Sequence, residues 1–457
     1  MPGRVPATRV LIQGALVFAM AIGASLSPAT ASAQWFKHPP ARARKNMEGV
    51  VNFHPTLAVG LYYDTNPYRA ATRPEGDLAF TISPIVGVDF RGSEVKAYVR
   101  GHYRLRKFFS IRLVKPDSHD DLDILGDFGL QVGMKVRPEQ IISFEFSDLL
   151  ERTSRALDSS EVPDNRFSLM NQVSNQLEMK VHGRPGSALT ISPGISWSLS
   201  RFSSKDGRGI DARVTDFGTY HDVKGTLLAQ WRFFPRTQAL IDFEVGRHMF
   251  SDRIDASELA LEGGTVVGLE QNAASFWKLQ GGVEGRFGER TTLRLILGYA
   301  GAYFDDGALA YRDQSKEMRA QTSLVQGRGL MGTVHFVTLP LPDHRVAVGF
   351  TRKYEFSYFA AYYLTNRPFA KYDGTFFEWL RLRTEFGVDI RELRGSPDAF
   401  DGGRNDVQLD FTVSLGADVL EWLSLAVDYK LLSIVWSENP SQQFVDHMIG
   451  FTVTAGY

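Results

Sequence analysis

Apolar and polar residues alternate in twos along much of this chain. From 449 onward the odd positions are Ile449, Phe451, Val453, Ala455 and Tyr457, and the even ones are Gly450, Thr452, Thr454 and Gly456. Phe128, Leu130, Val132, Met134 and Val136 alternate with Asp127, Gly129, Gln131, Gly133 and Lys135. Val173, Leu177, Met179 and Val181 oppose Gln172, Ser174, Gln176, Glu178 and Lys180, and Leu409, Phe411, Val413 and Leu415 oppose Gln408, Asp410, Thr412 and Ser414. A period of two places successive side chains on opposite faces of a β-strand. One apolar face and one small or polar face suit a strand that stands between hydrocarbon and a wet or polar-filled lumen.

The connections fall into two length classes in rough alternation. Short turn-rich joints occur at Arg91-Gly92-Ser93, Arg137-Pro138-Glu139, Gly183 to Ser187, Pro235-Arg236, Gly288-Glu289-Arg290 and Leu339 to Asp343. Longer polar stretches occur at Asp64 to Asp77, Leu149 to Arg166, Ser203 to Arg213, Asp252 to Gln271 and Asp305 to Lys316. Short periplasmic turns and long outer loops characterise transmembrane barrels, whereas a soluble sandwich has shorter, evenly spaced strands. The pattern predicts an all-β fold, a transmembrane antiparallel up-and-down β-barrel of about 16–18 strands at ~9–11 residues per spanning strand. Both ends should be periplasmic, which requires an even number. A straight reading counts seventeen, because the aromatic run around Tyr354 to Tyr363, between Val346 and Asp389, reads as one bent strand or two.

The first 33 residues read as a secretory signal peptide: Arg4 and Arg9, an apolar Leu11 to Leu26, and a small-residue cleavage site at Ala31-Ser32-Ala33. Residues 34–52, with Lys37, Arg42, Arg44, Lys45 and a Pro39-Pro40 pair, lack alternation and read as a periplasmic segment or one that folds into the lumen. Residues 53–457 form the barrel. The 457-residue chain exceeds one compact soluble core, yet no linker divides it, so a single large closed element fits best. Zero cysteines exclude a lipid-anchored N-terminus and a disulfide framework. With 51 basic and 52 acidic residues there is no basic excess to recruit nucleic acid. The expected partners are the lipid and lipopolysaccharide of a Gram-negative outer membrane, and its assembly machinery. That machinery reads a C-terminal aromatic signal, which Phe451, Val453 and Tyr457 resemble.

Tyr62-Tyr63-Asp64-Thr65-Asn66-Pro67-Tyr68-Arg69, followed by a second strand from Asp77 to Pro84 containing Thr81-Ile82-Ser83-Pro84, resembles the opening of the beta-barrel porin 2 family. There a Tyr-Asp-x-Asn loop follows the first strand and a Ser-Pro lies in the next. The likeness extends loosely through Lys107 and by pattern over the rest. It implies an outer-membrane barrel, often found with exopolysaccharide synthesis and export systems, and therefore periplasmic export partners. It carries no catalytic residue set. Tyr63, Asp64, Asn66 and Arg69 match its motif without a defined role, and Asp and Asn there also suit a loop start in which they bond their own backbone.

One strand carries candidate chemistry. Lys96, Arg100, His102, Arg104 and Arg106 fall on even positions, against Val95, Ala97, Val99, Tyr103 and Leu105 on odd ones. With the odd face in lipid, these cations line one wall of the lumen, where charge sets ion selectivity. Alternatively they pair with carboxylates: Glu145, Glu178, Asp242, Glu244, Glu284, Asp389 and Asp410 all read inward, beside the further cations Arg232, Arg286, Arg294, Arg381 and Arg383. His102, His221, His248 and His335 are scattered singly, with no spacing that assembles a nucleophile and base, so no enzyme is expected. His119-Asp120-Asp121-Asp123 reads as a solvated outer loop; no metal site and no cofactor are expected. Three uses follow from the pattern: a diffusion porin, a polysaccharide export barrel, or a structural or adhesive barrel with a filled lumen.

Overall fold

The computed structural model describes residues 51–66, 76–109, 122–153, 170–204, 219–250, 269–271, 273–304, 309–311, 327–356, 362–394, 403–437 and 443–456. The expected signal peptide, the segment before residue 51, most of the long loops, Arg69, His119 to Asp121 and Tyr457 lie outside the described residues.

The strands are β1 (Val51–Asp64), β2 (Asp77–Arg91), β3 (Val95–Phe109), β4 (Leu122–Val136), β5 (Ile142–Thr153), β6 (Met170–Gly183), β7 (Leu189–Ser204), β8 (Thr219–Phe234), β9 (Thr237–Phe250) and β10 (Leu269–Gln271). They continue as β11 (Ala274–Phe287), β12 (Thr291–Phe304), β13 (Leu309–Tyr311), β14 (Gly327–Leu341), β15 (His344–Phe356), β16 (Tyr362–Phe376), β17 (Leu380–Arg394), β18 (Gly403–Leu420), β19 (Leu423–Ser437) and β20 (Phe444–Gly456). Short β10 and β13 pair only with each other; the other 18 form one sheet. Each long strand is antiparallel to the next, β9 joins β11, β12 joins β14, and β1 closes on β20 from Thr56↔Gly456 to Asp64↔Met448. This is the expected up-and-down barrel. Closure is the physical requirement, because a strand edge in hydrocarbon would leave backbone N–H and C=O groups without partners.

The uncertain aromatic run is two strands, β15 and β16, separated by residues 357–361. The short joints fall where the pattern places them, except that Leu339 to Leu341 belong to β14 and the turn is Pro342-Asp343. Two further short turns carry no turn signature: Phe377-Glu378-Trp379 and Glu421-Trp422. Phe377 (φ 53°) and Glu378 (φ 65°) take the left-handed conformation that normally favours glycine.

Most side chains sort between two faces by strand parity. Outward stand Phe144, Met179, Ile195, Leu227, Ile241, Leu279, Leu297, Leu330, Phe386 and Val427, all exposed. At the short-turn end the band is edged by Trp231, Phe287, Phe377, Trp379 and Trp422, and towards the long loops by Tyr63, Tyr303 and Trp436. An exposed apolar band that encircles the protein far exceeds any patch a soluble monomer carries, and aromatic edges belong at the two membrane interfaces. The barrel therefore spans a membrane, and its polar face lines the lumen.

Leu297 is 64% exposed on the outside of β12. Leu297→Arg should destabilise the barrel by about 2–4 kcal/mol in denaturant unfolding from lipid vesicles. The lumenal Ser196→Arg should cost less; equal losses would mean that the outer face does not sit in hydrocarbon.

Candidate functional site: the lumen

Parity along β3 turns Lys96, Arg100, His102, Arg104 and Arg106 inward, since Val99 and Phe109 on the alternate face are exposed to lipid. The wall is thus where the sequence places it, but its charge is largely answered. Lys96 Nζ donates to Glu139 at 3.1 Å near the turn end. Arg100 lies 3.6 Å from Asp89, which His54 also approaches at 3.1 Å. Arg104 and Arg106 converge on Asp127 at 3.4 and 3.5 Å. The His102 ring lies flat against Gly129, where a Cβ would collide with it. Arg104 is buried, whereas the Arg100 side chain is 58% exposed and stacks over Tyr98 at 4.9 Å. Of the cations on this wall, Arg100 is the one placed to meet a passing ion.

Facing cross-strand registers build similar clusters elsewhere. On β16 to β18, Arg367 reaches Asp389 at 2.9 Å, Asp410 at 3.3 Å and Glu385 at 3.6 Å. Arg391 shares Asp389 at 3.3 Å, and Lys371 takes Glu385 at 2.7 Å. A Cβ at Gly387 would stand 2.6 Å from the Arg367 guanidinium, so the absence of a side chain there lets Arg367 lie along the wall. Lower on the same strands Arg383 pairs with Asp373 and Arg381 with Asp418, both at 2.5 Å. Lys278 bridges Glu244 (3.0 Å) and Asp242 (3.7 Å) on β9, and Glu145 receives Lys135 and His182, both at 3.0 Å. Glu145, Glu178, Asp242, Glu244, Glu284, Asp389 and Asp410 stand on the inward face, and the lumen carries both signs in pairs.

Aromatic packing narrows the end nearer the long loops. Phe356, the last residue of β15, stacks on the His248 ring of β9 with centroids 4.8 Å apart and planes 6° from parallel. It also meets Phe276 of β11 edge-on at 5.2 Å, and Tyr354 stacks on Tyr362 at 4.9 Å. His248 and Phe276 share parity with the lumenal Glu244 and Lys278, so Phe356 lies inside the barrel. It spans the inner faces of β12 and β14, where Ala300 and Ala302 are buried and leave room. Asp222 holds His248 through a short Nδ1 contact, and Tyr220 packs 5.0 Å from its ring. Sequence reasoning marked His248 only as a scattered histidine; the sole signal was the aromatic run that blurred the strand count. His221 is elsewhere, stacked on Trp197 on the outer face, and His335 meets Phe369 edge-on at 5.5 Å. Among the described residues no group of His and carboxylates is arranged to hold a metal ion.

The Tyr63-Asp64-Thr65-Asn66 motif has a structural place at the closing seam. Asn66 N–H donates to Asp64 Oδ1 at 3.0 Å, the Asx turn expected of a loop start. Asn66 Nδ2 then donates to Val445 O at 3.2 Å, and Thr65 exchanges bonds with His447 at 2.9 and 2.8 Å. The Tyr62 hydroxyl bonds Thr452 at 3.2 Å, with its ring over Gly450. Tyr63 itself faces outward. Phe451 and Val453 stand opposite Leu61 and Val59 across the same seam, on the lipid side.

No protein-family model and no curated protein matches the chain. Among solved structures it is similar to the outer membrane protein OpdK of Pseudomonas aeruginosa, at 12% identity over 89% of this chain and 99% of that one, TM-score 0.42. OccAB2 of Acinetobacter baumannii matches at 9% identity over 90% and 99%, TM-score 0.44. The FrpB iron transporter of Neisseria meningitidis, in its F5-1 apoprotein form, matches at 6% identity over 90% and 82%, TM-score 0.47. Strand count and closure stand on this chain's own pairing.

Arg367→Met would leave the buried Asp389 and its neighbours short of a cation. The expected loss is roughly 3 kcal/mol in denaturant unfolding, with part recovered when Asp389→Leu is added. No loss would show that the cluster is solvated and carries no structural weight.

Proposed function

We propose that the chain is an outer-membrane channel whose lumen is lined by paired charges and narrowed by the Phe356 aromatic cluster. The observation that carries this reading is the closed wall of 18 strands, apolar outside and ionic inside. Barrels of this strand number enclose more space than the inward side chains of the wall fill, and so leave an aqueous path. Conduction of small solutes through such a path needs no catalytic group and no cofactor. In the finer reading the protein belongs with the beta-barrel porin 2 proteins and serves exopolysaccharide export with periplasmic partners. That reading rests on the Tyr63-to-Asn66 motif and on Ser83-Pro84.

A second reading is a structural or adhesive barrel with a plugged lumen. It is favoured by the density of interior ion pairs and by the reach of Phe356 past β14, β12 and β11 to His248.

Single-channel recording on refolded protein in planar bilayers separates the two. An open channel gives discrete conductance steps, and Phe356→Ala should enlarge them by widening the narrow end. Folded protein that stays silent, in both wild type and Phe356→Ala, would favour the plugged barrel.

The two arginines of β3 should behave differently. Arg100→Gln should move the reversal potential in a salt gradient towards cation preference, because that exposed charge faces the path. Arg104→Gln should act mainly on stability, since Arg104 is buried and its pair with the buried Asp127 is lost while Arg106 stays within 3.5 Å. Unchanged selectivity in Arg100→Gln would remove this wall from the account of ion preference.

A further inference from the structure

The outer face of the barrel carries a polar pair within its apolar wall, in the half nearer the long loops. Asp148 of β5 and Asn175 of β6 point away from the lumen. Strict pairing puts Asp148 opposite Val132 and Leu177, and no bulge interrupts β4, β5 or β6 between here and the exposed Phe144 and Met179 of the same face. Inward parity on these strands is accounted for by Glu145, Lys135 and Lys180, which meet on the lumenal side. Around the pair the outward positions are Phe146, Leu150, Leu177 and Val173 along the two strands, and Trp197 and Leu199 opposite on β7. Apolar side chains thus lie both above and below it, with the outward Arg152 and Arg201 one outward position beyond Leu150 and Leu199. Other polar pairs on this face, such as Arg352 with Asn366 at 2.7 Å and Arg247 with Ser275 at 2.9 Å, lie towards the long-loop ends of their strands.

A carboxylate facing hydrocarbon is costly, and one set among apolar neighbours marks a place where the wall meets something other than lipid. The chemistry of the pair says what. Asn175 Nδ2 donates to Asp148 Oδ1 at 2.9 Å, and among the described residues that is the only hydrogen bond either side chain makes. One amide N–H, the Asn175 amide oxygen and one carboxylate oxygen are left over. A unit with one spare donor and one spare charged acceptor is complementary to a second copy of itself. We propose that the β5–β6 wall is a two-fold contact between two barrels of this chain, in which Asn175 of each copy donates to Asp148 of the other within an apolar frame of Phe146, Leu150, Leu177 and Trp197. A two-fold axis along the membrane normal keeps both barrels in the same orientation and brings one patch onto itself, as an isologous interface requires. Asp148 does not serve the lumen, so conduction by each barrel is independent of this contact.

The chain contains no cysteine, so single cysteines report contacts without background. Phe146→Cys, Leu150→Cys and Leu177→Cys variants of the full-length protein, reconstituted in lipid vesicles and oxidised, should give a disulfide-linked dimer for at least one of the three. Leu297→Cys, on β12 and well round the wall from β6, should give none. Adding Asp148→Leu and Asn175→Leu should cut the dimer fraction roughly tenfold, as loss of the reciprocal hydrogen bonds implies, while heat-modifiable gel mobility and conductance persist. The proposal is overturned if all three positions stay monomeric, if Leu297→Cys links equally well, or if the double leucine variant dimerises as before. Cross-linking in whole outer membranes to a chain of different mass, in place of the dimer, would also overturn it and assign the wall to another protein.

Discussion

Everything in this protein depends on closing the sheet. Hydrocarbon offers no hydrogen bonds, so a β-structure survives in it only when each strand has a neighbour on both sides. Seventeen of the junctions join strands that follow one another around the wall; the eighteenth must join β1 to β20 across nearly the whole sequence. The contacts gathered there reflect that burden. Tyr62 on Thr452, Thr65 with His447 and Asn66 on Val445 add side-chain bonds to the backbone ladder where no turn holds the strands together. A motif that looks functional in one dimension is a fastening in three.

Closure at this width creates a second problem, a wide polar interior with few side chains able to fill it. The chain answers with long charged residues laid along the wall, many of them matched to a carboxylate on the same or a nearby strand. Arg367 with Asp389, Asp410 and Glu385 is the fullest example, and Arg104 with Arg106 on Asp127 repeats it on the other side. Paired charges hold strands in register without emptying the lumen of water, and they leave selectivity to the few groups that stay exposed, such as Arg100. The aromatic reach of Phe356 to His248 works differently: it joins strands that are not neighbours and narrows the path near the long loops.

The same alternation that separates lipid from lumen also exposes its own exceptions. Asp148 and Asn175 break the outer face, whereas inward positions tolerate almost any polar residue. Polar groups are therefore informative on the outside of a barrel and nearly silent within it, which is why the lateral wall carries an inference that the lumenal charges do not.

Period-two alternation and two classes of loop were enough to read an antiparallel membrane barrel, the facing of β3 and the inward carboxylates, because each depends only on residues adjacent in the chain. Strand number was nearly legible. It failed at Phe377-Glu378-Trp379, where residues of no turn character adopt positive φ, and around Tyr354 to Tyr363, where the aromatic pattern runs on from the end of β15 to the start of β16 without a turn signature. Which cation meets which carboxylate, the seam bonds of Asn66, and the meeting of Phe356 with His248 were decided by tertiary structure alone. Their partners are set by strand register and by the curvature of the closed sheet, and these arise only when all 18 strands pair at once.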